Sequence, residues 1–203
     1  RMQYVIDIVA MTFGQPIALF PALGTVILGG GAVTTGILTA AVAVGTFASS
    51  LLSGRVVHYR WHGRGIERAV EAYGASILLF GAVLMLGAFV GSASEHAPSI
   101  ALIVAASVAL ALSGAADNVS SIYRNTMMQA AVPDAMRGRL QGVFIIVVTG
   151  GPRIGALYAG SLATITALWF PPLLGGLLVI ALVAMLARIS PRFRGYDAEN
   201  PEP

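Results

Sequence analysis

Long apolar runs separated by short polar segments dominate the chain from Tyr4 to Ala187. A bilayer hydrocarbon core about 30 Å thick takes about 20 apolar residues in helix. Six runs reach that length: 4–23, 33–52, 70–90, 100–120, 140–163 and 169–187. They show no strict apolar–polar alternation, which barrel strands would carry, and no polar outer face, which the helices of a soluble core would need. The pattern predicts an all-α membrane protein. A six-helix transmembrane bundle over 1–189 would be followed by a polar, proline-bearing tail over 190–203 without fixed structure.

Composition agrees with that reading. Of the 203 residues, 57% are hydrophobic and 10% charged, too little charge to cover a soluble surface of this size. Abundant glycine and alanine suit helices packed closely in lipid. The absence of cysteine excludes disulfides, thiolate metal sites and cysteine nucleophiles. Every basic residue is arginine, and these arginines fix the expected orientation. Arg55, Arg60, Arg64 and Arg68 follow the second run; Arg124, Arg137 and Arg139 flank the next connection on the same side. Arg188, Arg192 and Arg194 follow the sixth run, and Arg1 precedes the first. The connections on the other side carry none. The positive-inside rule therefore predicts a multi-pass cell-membrane protein with both termini cytoplasmic. Arginines confined to short connections between apolar runs argue against nucleic-acid binding, and the lipid bilayer is the expected partner. The chain opens with Arg1 and enters an apolar run within three residues, which predicts a fragment or an incomplete reading frame.

Polar residues are spread unevenly among the runs. The first carries Asp7, Gln15 and Pro16, and the fourth carries Asp117, Asn118 and Arg124. The second and fifth are rich in glycine, serine and threonine, while the third and sixth are almost wholly aliphatic. This distribution predicts that the first and fourth line a cavity. The second and fifth would pack against a partner half, and the third and sixth would face lipid.

Three segments carry a family resemblance. The run from Tyr4 to Leu23, with Asp7, Gly14-Gln15-Pro16 and Pro21, looks like the seventh helix of major facilitator superfamily exporters. Within that superfamily it is nearest the enterobactin-exporter-like branch common in actinobacteria. Tyr123-Arg124-Asn125-Thr126-Met127-Met128-Gln129 followed by Pro133-Asp134-Ala135-Met136-Arg137-Gly138-Arg139 is similar to the branch's connection between helices ten and eleven. Gly150-Gly151-Pro152-Arg153-Ile154-Gly155 with Ala159-Gly160 resembles its eleventh helix. The resemblance implies the C-terminal six-helix half of a twelve-helix fold, made of two three-helix inverted repeats. It also implies a missing N-terminal six-helix half as partner. The implied activity is secondary transport: proton-coupled export of a small amphiphilic compound, such as a drug or siderophore, by alternating access. The cytoplasmic gating loop would hold Gly54, Arg55, Gly63 and Arg64, where His58 stands near the place of the family's aspartate. A second gating turn would hold Pro133, Asp134, Arg137, Gly138 and Arg139.

Several charged or polar residues are candidates for the substrate or proton pathway: Asp7, Gln15, Asp117, Asn118, Arg124 and Arg153. Arg153 lies about 13 residues into its helix, roughly 20 Å deep, where a charge costs at least ~2.5 kcal/mol. It reads either as a binding or gating charge, or as a structural arginine that snorkels or caps carbonyls released by Pro152. Asp117 reads either as a carrier of the coupling proton or as an ion-pair partner of Arg124, seven residues on along the same helical face. Asp7 is either a gate lock paired with an arginine or a solvated helix start. Gln15-Pro16 is either a polar cavity contact or a bare kink. His58 and His62 lack a third ligand, so neither metal nor cofactor is expected. No nucleophile–base–acid set is present, so an enzyme is not expected. A non-transporting six-helix subunit or scaffold is the reading that competes with transport.

Overall fold

A computed structural model describes residues 2–51, 53–54, 62–90, 98–131 and 134–189. Among the described residues every regular element is helical: α1 (Met2–Phe13), a 3₁₀ turn (Ile17–Leu19), α2 (Phe20–Val26), α3 (Gly31–Leu51), α4 (His62–Val90), α5 (Ile100–Ala131), α6 (Asp134–Ile165) and α7 (Phe170–Ile189). The tail over 190–203 lies outside them.

Among the described residues, five segments are long and apolar enough to cross a membrane: Val5–Val26, Gly31–Leu51, His62–Val90, Ile100–Thr126 and Phe170–Ile189. The remaining expected span, 140–163, lies inside α6, a helix of 32 residues that is the least apolar of the long helices. At 1.5 Å per residue α5 and α6 each run about 48 Å, well past a hydrocarbon core of about 30 Å. Helices therefore continue beyond the apolar runs that announce them. Arg64 and Arg68 stand on α4, and Arg124 stands inside α5. Arg124 belongs to the fourth span, as its polar pattern implies: the helix runs past the expected end near 120 to Ala131 and carries it within the apolar segment.

The first span is discontinuous. Pro16 has no backbone N–H and disfavours helix in the residue before it, so α1 stops at Phe13 and the chain resumes as a 3₁₀ turn and then α2. Between α2 and α3 the chain reverses through Gly29, Gly30 and Gly31, all at positive φ (75°, 78° and 56°), which side chains with a Cβ rarely adopt. Thr34 Oγ1 closes this turn by donating to the Gly29 carbonyl at 2.5 Å.

The spans pair in a definite way. The first (α1) packs on the fifth (α6), the second (α3) on the fourth (α5), the third (α4) on the fourth and the sixth (α7), and the sixth on the first. Exchanging spans one to three with spans four to six carries these pairs into one another. Two close crossings hold the arrangement. A methyl added at Gly45 would strike the Ala111 carbonyl, and one at Gly155 would lie 2.7 and 2.9 Å from the Met11 and Thr12 carbonyls. Small residues of the second and fifth spans are thus used inside this bundle as well as on its outer face, where Gly36, Gly150 and Gly160 meet nothing within 4 Å.

The third span departs from the expected lipid-facing role. It is packed between α5 and α7, with Ile66, Val70, Ile77, Phe80 and Leu84 buried. Aliphatic side chains suit lipid and protein interior equally. The distinguishing signal is glycine: Gly74 and Gly81 on α4 meet Gly176 and Leu173 of α7.

Candidate functional site

Among the described residues, two core clusters fill the bundle. One is built on Leu19, Phe20, Leu23, Leu38, Phe80 and Leu110, the other on Ile6, Val70, Tyr73, Tyr123, Val179 and Val183. Beside the second cluster, within the membrane-spanning segments, lies a group of three charges. Asp7 on α1 is 1% exposed and Arg124 on α5 is 6% exposed, and the two form an ion pair through Arg124 Nη1 and Asp7 Oδ1. Arg124 Nη2 also donates to Asp117 Oδ1 at 3.4 Å. Helical side chains lean toward the helix N-terminus, so the long arginine side chain spans the two turns back to Asp117. One guanidinium thus bridges two carboxylates from two helices. Among the described residues, Asp7 Oδ2 and Arg124 Nε have no hydrogen-bond partner.

Asp117 has a second environment. Its side chain is 39% exposed and borders a small cavity at the break in the first span, together with Gln15, Pro16, Thr46, Tyr73 and Ser113. Tyr73 holds the break in place: its hydroxyl donates to the Gly14 carbonyl at 2.6 Å. The expectation that the first and fourth spans line a cavity is met, with the second and third contributing the rest of the wall.

The other candidates fall elsewhere. Asn118 is not part of this cavity wall; its Nδ2 donates to Ser49 Oγ at 2.9 Å and Ser50 Oγ at 3.1 Å, strapping α5 to α3. Arg153 is exposed on α6 and does not join the three-charge group, although Gly151 and Gly155 on either side of it fit against α1. Gly54 and Arg64 are exposed and Gly63 is buried at neighbouring helix ends, and Gly138 is exposed near the start of α6. Arg55, Pro133 and the side chains of Asp134, Arg137 and Arg139 lie outside the described residues. His62 is 3% exposed, with its ring 5.3 Å from that of Tyr123. Sequence reasoning missed Tyr73, Thr46 and Ser113. A tyrosine near the start of the third run, two residues after Glu71, was the available signal for Tyr73; for the two hydroxyls no signal separated them from the other serines and threonines.

A bundle of long apolar helices that buries an arginine between two aspartates is an all-α, multi-span membrane protein. The chain is 30% identical over 159 residues to the enterobactin exporter EntS of Shigella flexneri, a match covering 77% of this chain and 35% of that protein. It is also 30% identical over 161 residues to EntS of Escherichia coli O1:K1, covering 77% and 34%. The chain spans about a third of the length of these curated relatives. No family model matches the chain, and no solved structure matches it.

Proposed function

We propose that this chain is the C-terminal six-helix half of a proton-coupled exporter of the enterobactin-exporter-like branch. It moves a small amphiphilic compound, a drug or a siderophore, by alternating access against an N-terminal half. The observation that carries this reading is the Asp7–Arg124–Asp117 group between the first and fourth spans, a buried ion pair that reaches a half-buried aspartate at the wall of a cavity. Charges within a membrane are costly to keep and line ion or substrate paths. A proton taken by either aspartate leaves the arginine with one counter-charge fewer, so the hold between the two helices changes with the coupling proton. The exchange of helix pairs between the two triplets supports an inverted repeat, the usual frame for rocking transporters. Arg153, exposed on α6, would face the other half as a gating charge. The arginine-rich helix ends support cytoplasmic termini in the cell membrane, with Gly54, Arg55, Gly63, Arg64, Pro133, Asp134, Arg137, Gly138 and Arg139 forming gating connections.

The test uses inside-out vesicles from cells expressing the intact native gene. Imposing a proton gradient should drive uptake of a labelled siderophore or drug from a panel, and a protonophore should abolish it. A non-transporting subunit would give no gradient-dependent flux with any member of the panel.

A further inference from the structure

The cavity at the helix break is lined by hydroxyls whose hydrogens are already placed. Tyr73 donates to the Gly14 carbonyl at 2.6 Å, and Ser113 Oγ donates to the Leu110 carbonyl at 2.7 Å. Thr46 Oγ1 shares its hydrogen between the Val42 and Gly114 carbonyls at 3.1 and 3.2 Å. A hydroxyl that donates to backbone keeps only lone pairs for anything else. Asp117, ionised, is acceptor-only as well. Gln15 is the lining side chain with hydrogens to give: its Nε2 approaches Met11 Sδ at 3.4 Å, and its carbonyl oxygen remains an acceptor. Four of the five polar lining groups therefore offer lone pairs and no hydrogen.

The charges point the same way. Asp7 and Asp117 in their ionised forms carry two negative charges against the single positive charge of Arg124; of the three only Asp117 lines the cavity, and the rest of the lining adds no charge. A monovalent cation with several hydrogens to donate satisfies both conditions at once. An ammonium group does so. A carboxylate or phosphate meets repulsion from Asp117 and an absence of donors. A catechol offers donors but leaves the net negative charge unbalanced. Aliphatic and aromatic walls supplied by Ile77 and Phe20 accept the carbons beside the nitrogen.

We propose that this cavity is the seat for the protonated amine of the transported compound, held by Asp117 and the lone pairs of Thr46, Tyr73 and Ser113. This rests on the transport reading for its physiological meaning, but binding is measurable without any flux. The probe is labelled phenethylamine, compared with phenethyl alcohol and catechol, which lack the charge. Equilibrium binding is measured without a proton gradient, on membranes from cells expressing the intact native gene. We expect saturable phenethylamine binding that weakens at least 10-fold in Asp117→Asn and severalfold in Thr46→Val, with no saturable binding of the two neutral probes. Asp117→Asn leaves the Asp7–Arg124 pair in place. If its yield in detergent nonetheless falls, Thr46→Val, which keeps the side-chain shape and removes the oxygen, decides the matter. Equal binding of catechol or phenethyl alcohol overturns the proposal. So does phenethylamine binding unaffected by either substitution, or binding displaced by sodium ions at millimolar concentration, which would make the cavity a metal-ion seat. Gradient-driven flux of a siderophore without amine binding would overturn this proposal and leave the transport reading standing. Amine binding without flux would do the reverse.

Discussion

Arg124 and Asp7, 117 positions apart in the sequence, meet as a buried ion pair that joins α5 to α1. Neither side chain has meaningful exposure, so each is the main reason the other is tolerated in the interior. Removing one partner of a buried pair leaves the other uncompensated, at a cost of about 3–5 kcal/mol. Asp7→Asn should therefore lower the thermal midpoint of the detergent-solubilised protein sharply. The double substitution Asp7→Asn with Arg124→Gln should recover part of that loss, because neither fully buried position then carries a charge, while Asp117, left without Arg124, is 39% exposed at the cavity. A double variant no more stable than Asp7→Asn alone would count against the pair as the source of the effect.

The close crossings make a second expectation. Gly45→Ala places a methyl against the Ala111 carbonyl, and Gly155→Ala places one against the carbonyls of Met11 and Thr12. Backbone cannot give way as a side chain can, so each should cost about 1–3 kcal/mol. Gly36→Ala and Gly160→Ala meet nothing within 4 Å and should leave thermal stability unchanged. Thermal unfolding followed by fluorescence size-exclusion chromatography separates the two classes.

Arg153 offers a contrast with Arg124. It is exposed on α6 and lies outside the three-charge group, so Arg153→Ala should change stability by less than about 0.5 kcal/mol. If it is a gating charge against the other half, the same substitution should lower the transport rate severalfold. Reduced yield with unchanged specific transport would instead mark it as a structural arginine.

Much of the helical architecture was legible because the apolar runs are long and nearly free of charge. The ends were not. Helix propensity and hydrogen bonding carry α5 to Ala131 and start α4 at His62, past the points where hydropathy falls, so Arg124 sits well inside a helix rather than at its end. Asp7, Asp117 and Arg124 were each recognisable as costly charges, and so was the choice between proton site and ion pair for Asp117. What joined them was hidden: a helix-to-helix contact over 117 positions leaves no spacing pattern in one sequence. Gln15-Pro16 announced the break in the first span, since the loss of an N–H is written in the residue type. Tyr73, which closes on Gly14, and Asn118, which turns toward Ser49 rather than the cavity, depended on which way each helix face points.

The central claim is that the Asp7–Arg124–Asp117 group couples a proton gradient to export. It is tested most directly by proton-gradient-driven uptake into inside-out vesicles, comparing the intact wild-type protein with Asp117→Asn at equal membrane abundance. Uphill uptake in the wild type, collapsed by nigericin, and its loss in the variant are expected. Undiminished uphill uptake by Asp117→Asn would contradict it.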